Sequence, residues 1–138
     1  MANFFKEKEK EFLKAAGVLG YCLIFVGGET QKLKKMKDLT REEFKEQVKN
    51  DPDAVILDVR TQEEVDEGII PNAKNLDIYK GQEFVDELEK LDKSKNYYVY
   101  CRSGKRSVQA ATLMDSLGFN KTYNLLGGFS EWDGEVEH

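Results

Sequence analysis

The stretch "YYVYCRSGKRSVQAATLMDSLG", residues 97–118, joins an apolar run to a segment of helical period, with a cysteine at the joint. "NYYVY" (96–100) has the aromatic and β-branched make-up of a strand. Beyond the loop, Val108, Ala111, Leu113 or Met114, and Leu117 recur at the spacing of one buried helix face, and Gly118 ends it. Cys101 therefore stands at the carboxyl end of a strand, in the turn before a helix. In open α/β sheets that is where ligands bind.

The same alternation extends on both sides. Thr40 with Glu43 forms a capping box ahead of Phe44 and Val48. "AVILDV" (54–59) reads as a strand buried in a parallel sheet, and "EEVDEG" (63–68) as a short helical turn, with Pro71 as a breaker. "AKNLDI" (73–78) reads as a further strand, and "EFVDELEKL" (83–91) places Phe84, Leu88 and Leu91 on one helical stripe. "TYNLL" (122–126) is the last strand, followed by Gly127–Gly128 and a helix around Phe129–Trp132, where Trp132 is expected in the core. Repeated β-then-α order predicts a parallel sheet covered by helices on both faces.

The totals limit the function classes. A chain of 138 residues suits one compact domain, here 36–138, after an extension over 1–35. A net charge of −5 weighs against nucleic acid as a partner. Two cysteines make no disulfide scaffold, and no metal-ligand spacing is present, so neither a metal nor a cofactor is called for. The single histidine is terminal His138, which removes the usual Cys–His route to an activated thiol. In the extension, "AAGVLGYCLIFVGG" (15–28) lacks charge but is short for a membrane span. A packed or amphipathic helix and a cytoplasmic protein are expected. Membrane or envelope attachment through 12–28 is the alternative, and Tyr21 weighs against a lipoprotein site at Cys22.

An isolated cysteine is ordinarily a small buried hydrophobe, and Cys22 is read that way. Cys101 is different because of its neighbours. Ser103 and Gly104 allow successive backbone N–H groups to converge on one anion, and the following helix, beginning near Arg106, adds the positive end of its dipole. Arg102, Lys105 and Arg106 add three cations. Together these favour thiolate without a general base.

"CRSGKRS" (101–107) resembles the active-site loop of single-domain rhodanese-like sulfurtransferases. "ILDVRTQEEVDEGIIPNAKNLDI" (56–78) resembles that family's strand–DVR–acidic helix–G-x-I-P-x-A segment, and "YNLLGGFSEW" (123–132) its closing motif. The resemblance implies a three-layer α/β domain with a five-stranded parallel sheet. It implies a ping-pong reaction in which Cys101 accepts sulfane sulfur as a persulfide, from thiosulfate or a persulfide-carrying protein, and passes it to cyanide or a thiol. The amides of Arg102, Ser103, Gly104, Lys105 and Arg106 would bind the persulfide. Asp58 and Arg60 match the DVR motif, where the pair would support the loop; the plain alternative is a surface ion pair. Ile69 stands where the family often has histidine, and the extension has no counterpart in the minimal domain. Two rivals remain open: a phosphatase or arsenate reductase, which needs a loop one residue longer closed by arginine, and a non-catalytic binding or regulatory domain.

Overall fold

Period-two alternation in the central strands sorts side chains to two faces. In strand β4 (Asn96–Tyr100), Tyr97 and Val99 point to one side and Tyr98 and Tyr100 to the other; in β2 (Ala54–Asp58), Leu57 and Ile56 divide in the same way. The computed structural model describes residues 36–138. The expected extension 1–35, its apolar core 15–28 and the span 12–28 lie outside the described residues.

The remaining strands are β1 (Lys37–Leu39), β3 (Lys74–Asn75) and β5 (Lys121–Leu125). All pairings are parallel, in the order β1-β5-β4-β2-β3. One apolar layer packs Leu57, Tyr97, Val99 and Phe119 beneath helices α3 (Gln82–Glu89) and α4 (Lys105–Ser116), which contribute Phe84, Leu88, Ala111 and Met114. The other packs Leu39, Ile56, Tyr98, Tyr100 and Leu125 against Phe44 of α1 (Arg41–Asn50). A short helix, α2 (Gln62–Asp66), follows β2. The three-layer α/β domain with a five-stranded parallel sheet is present.

The start of α1 follows its predicted chemistry, with Thr40 and Glu43 closing a capping box; a second box that was not predicted, Thr61 with Glu64, closes at α2. Some boundaries differ from expectation. The "AKNLDI" strand shortens to two residues, because Asp77 caps a 3-10 turn at Ile78–Lys80 instead. The final helix is also a single 3-10 turn, Phe129–Glu131. Trp132 packs on the core from its rim, edge-on to Phe44 with ring centroids 5.9 Å apart. Among the described residues no helix is long and apolar enough to cross a membrane, and no group of three His, Cys, Asp or Glu is arranged to hold a metal.

Candidate active site

Cys101 directly follows β4, and three residues separate it from the start of α4 at Lys105, one position before the expected start. Gly104 is the N-cap of that helix, with φ +106°, a backbone conformation that side-chain-bearing residues rarely adopt. This conformation aims its N–H at the cysteine, with Gly104 N 3.0 Å from Cys101 Sγ. Ser107, on the first turn of α4, brings its Oγ to 3.5 Å from the same sulfur. The cysteine is fully buried. Burial pushes its thiol up, but donation from the Ser107 hydroxyl and from the N–H groups of Ser107, Gly104 and Ser103 outweighs this. The net effect holds the thiol below its ordinary value.

These donors are the main groups that lower it. Arg102 and Lys105 are exposed. Arg106 turns to α2, where its two terminal nitrogens donate to the Glu64 carboxylate at 2.8 and 2.9 Å, and its guanidinium lies 5.4 Å from the Tyr79 ring centroid. Glu64, also the capping-box residue of α2, was not singled out in the sequence. The box itself is legible as T-x-x-E (61–64), but the partner 42 residues away is not.

The loop is held from behind by the glycine turn after β5. Phe129 N donates to Cys101 O at 2.8 Å and Ser130 N to Arg102 O at 3.0 Å. Those carbonyls are thereby turned out of the loop, which leaves N–H groups facing the sulfur. Gly128, at φ +58°, makes the approach close enough: a Cβ there would sit 2.5 Å from Arg102 O and 2.6 Å from Cys101 O.

Asp58 and Arg60 are a buried pair, 0% and 3% exposed, not a surface one. The Arg60 Nη2 donates to Asp58 Oδ2 and to Gly68 O, both at 2.7 Å, so the guanidinium ties the end of β2 to the segment after α2. It also lies 4.2 Å from the Phe129 ring centroid. Its link to the cysteine loop therefore runs through Phe129, whose N–H holds Cys101 O.

The Glu64–Arg106 pair has a measurable acid signature. Hydrogen bonding from Arg106, opposed by burial and aided by donation from Thr61, lowers the Glu64 carboxyl from 4.5 to about 2. A carboxyl depressed on folding stabilises the protein above its unfolded value, and that stabilisation is lost as pH falls from about 4.5 toward 2. With both side chains about a fifth exposed, the pair is worth about 1–2 kcal/mol after solvent screening. Glu64→Gln is therefore expected to lower stability by that amount at pH 7 and to flatten its decline between pH 5 and 3. Urea unfolding at several pH values measures both.

Residues 40–135 match the Rhodanese-like domain family. The chain is 37% identical over 103 residues to "Putative sulfurtransferase YtwF" of Bacillus subtilis, covering 75% of this chain and 96% of that protein. It is 28% identical to a protein of Allochromatium vinosum named "Sulfurtransferase", over 70% of this chain and 88% of the other. Among solved structures, the crystal structure of a rhodanese-like domain protein from Staphylococcus aureus superposes with a TM-score of 0.64 at 33% identity, covering 74% of this chain and 97% of that one. With a cysteine loop at the carboxyl end of the sheet and this strand order, the chain belongs to the rhodanese-like domain family, among relatives named as sulfurtransferases.

Proposed function

We propose that this protein moves sulfane sulfur through a persulfide on Cys101. The observation that carries this is the convergence of the Gly104 N–H and the Ser107 hydroxyl on a fully buried sulfur with no histidine beside it. Amide donors stabilise the attacking thiolate and then the persulfide anion, so no general base is needed. With thiosulfate as donor, Cys101 Sγ attacks the outer sulfur and the S–S bond of thiosulfate breaks. Sulfite leaves with the electron pair. Cyanide or a thiolate then attacks the terminal persulfide sulfur, forming thiocyanate or a new persulfide and returning the Cys101 thiolate.

Support for sulfur over phosphate comes from the arginine that closes the six-residue loop. Arg106 is paired with Glu64 rather than free to clamp a tetrahedral oxyanion. Exposed Arg102 and Lys105 fit the recruitment of an anionic donor, either thiosulfate or a persulfide-bearing protein. The thiosulfate–cyanide reaction, assayed by thiocyanate, tests the proposal. Parallel double-reciprocal lines are expected, and intersecting lines would exclude a free sulfur-loaded intermediate. Lys105→Ala is expected to lower kcat/KM roughly threefold to tenfold at low ionic strength and to weaken its salt dependence. An unchanged salt response would remove Lys105 from donor recruitment.

A further inference from the structure

The Ser107 hydroxyl carries one proton and has three acceptors within reach. Cys101 Sγ lies at 3.5 Å, Gly104 O at 3.0 Å and Asn124 Oδ1 at 2.5 Å. Gly104 O already accepts the Val108 N–H in the first turn of α4. The amide of Asn124 cannot turn over freely, because its Nδ2 donates to Asp38 Oδ1 at 2.9 Å and the reversed amide would set its oxygen against that carboxylate. Asp38 and Asn124 are direct cross-strand partners on β1 and β5, so the register of the sheet holds the pair together. Ser107 and Asn124 are both buried, out of reach of bulk solvent. An Asn124 oxygen that can only accept, at the shortest of the three distances, receives the Ser107 O–H hydrogen bond while Cys101 is a thiol. The Ser107 oxygen then faces sulfur with a lone pair.

Building on Cys101 as the nucleophile, we propose that Asn124, oriented by Asp38, competes with Cys101 for the Ser107 hydroxyl proton and so restrains ionisation of the thiol. Asn124 is a positioning residue that acts through Ser107. When the thiol proton leaves to solvent or to an arriving base, the Ser107 O–H rotates from Asn124 Oδ1 to the sulfur. One hydrogen bond is exchanged for another, and no covalent bond of Ser107 breaks. The persulfide makes the same demand once its negative charge lies in the loop.

The charged groups on the surrounding elements include Arg102 in the loop, Lys105 and Arg106 on α4, Glu64 on α2, the Asp58–Arg60 pair at the end of β2, and Asp38 on β1. Tyr100 and Tyr79 are the titratable neighbours of Arg60 and Arg106. Of these only Asp38 belongs to the relay, so its charge and its hydrogen bond must be separated in the test.

The experiment is the pH profile of iodoacetamide alkylation at Cys101, followed by mass spectrometry on the full chain and its variants. Asn124→Ala removes the competitor, so its profile is expected to move to lower pH by roughly half to one unit, a threefold to tenfold faster reaction on the acid limb. Ser107→Ala should move it to higher pH, and the double variant should match Ser107→Ala alone. Asp38→Ala, at an exposed position, should follow Asn124→Ala. Asp38→Asn, which removes the charge but can still accept from Asn124, should keep the parent profile. The proposal is overturned if Asn124→Ala shifts upward or not at all, if it still shifts without Ser107, or if Asp38→Asn behaves as Asp38→Ala. Should Asn124→Ala not fold, the two Asp38 variants decide alone. Alkylation needs no sulfur donor: predicted shifts without thiosulfate turnover would count against sulfur transfer only, and turnover without them against the relay only.

Discussion

Cys101→Ser is expected to reduce sulfur transfer to background, a loss on the order of 10⁴-fold or more, with the fold retained. The serine oxygen can accept the Gly104 N–H that now reaches Sγ at 3.0 Å, so the loop keeps its donor network and the substitution adds no volume to a closed site. A hydroxyl in that nest has no base to ionise it, since the only histidine is terminal. The paired measurements are thiocyanate formation and thermal unfolding. Retained turnover in folded Cys101→Ser protein would move the chemistry to another residue.

Gly128→Ala is the second large effect, and it comes from backbone rather than chemistry. With φ +58° and ψ −157°, Gly128 occupies a region nearly restricted to glycine. The atoms that a methyl group would meet, at 2.5 and 2.6 Å, are the carbonyl oxygens of Arg102 and Cys101, which cannot swing aside as a side chain could. Relief requires the turn to withdraw, and the bonds from Phe129 N and Ser130 N to those carbonyls go with it. Strain and overlap together predict a destabilisation of about 3–5 kcal/mol. The loop amides also lose their orientation, so sulfur transfer is expected to fall by at least about tenfold in whatever fraction stays folded. Gly118→Ala is the matched control, with φ +93° but nothing within 4 Å of the added carbon. It carries conformational strain alone, about 1 kcal/mol. Urea unfolding of the two variants should separate them clearly, and equal losses would show that the contact with the cysteine loop is not what demands glycine at 128.

What the sequence discloses here depends on how far apart the interacting residues lie along it. The strand Asn96–Tyr100, the loop and α4 were readable because their signals are local: an apolar run, then a cysteine and glycine, then helical spacing. Both capping boxes are likewise local, each contained in four residues. The strand Lys37–Leu39 was not readable from residues, since three positions carry no alternation. It exists because Leu39 reaches the core and the backbone pairs with β5. Gly127–Gly128 were placed between the last strand and a helix, but that the second glycine lies against the cysteine loop follows only from the folded chain. For Arg60 the sequence left a surface ion pair open as the alternative to a supporting role. Its burial became affordable only when the fold brought the Gly68 carbonyl and the Phe129 ring to a guanidinium already facing Asp58. Glu64 with Arg106, and Asp38 with Asn124 and Ser107, join residues 17 to 86 positions apart, a distance at which no single-sequence pattern operates.

The most direct test of the central claim is intact-mass spectrometry after incubation with thiosulfate, with the modified residue located by peptide mapping. One added sulfur atom on Cys101, absent from Cys101→Ser and discharged as thiocyanate by cyanide, is the predicted result. Folded protein that gains no sulfur from thiosulfate or a small persulfide, or that carries it on Cys22, would contradict the account.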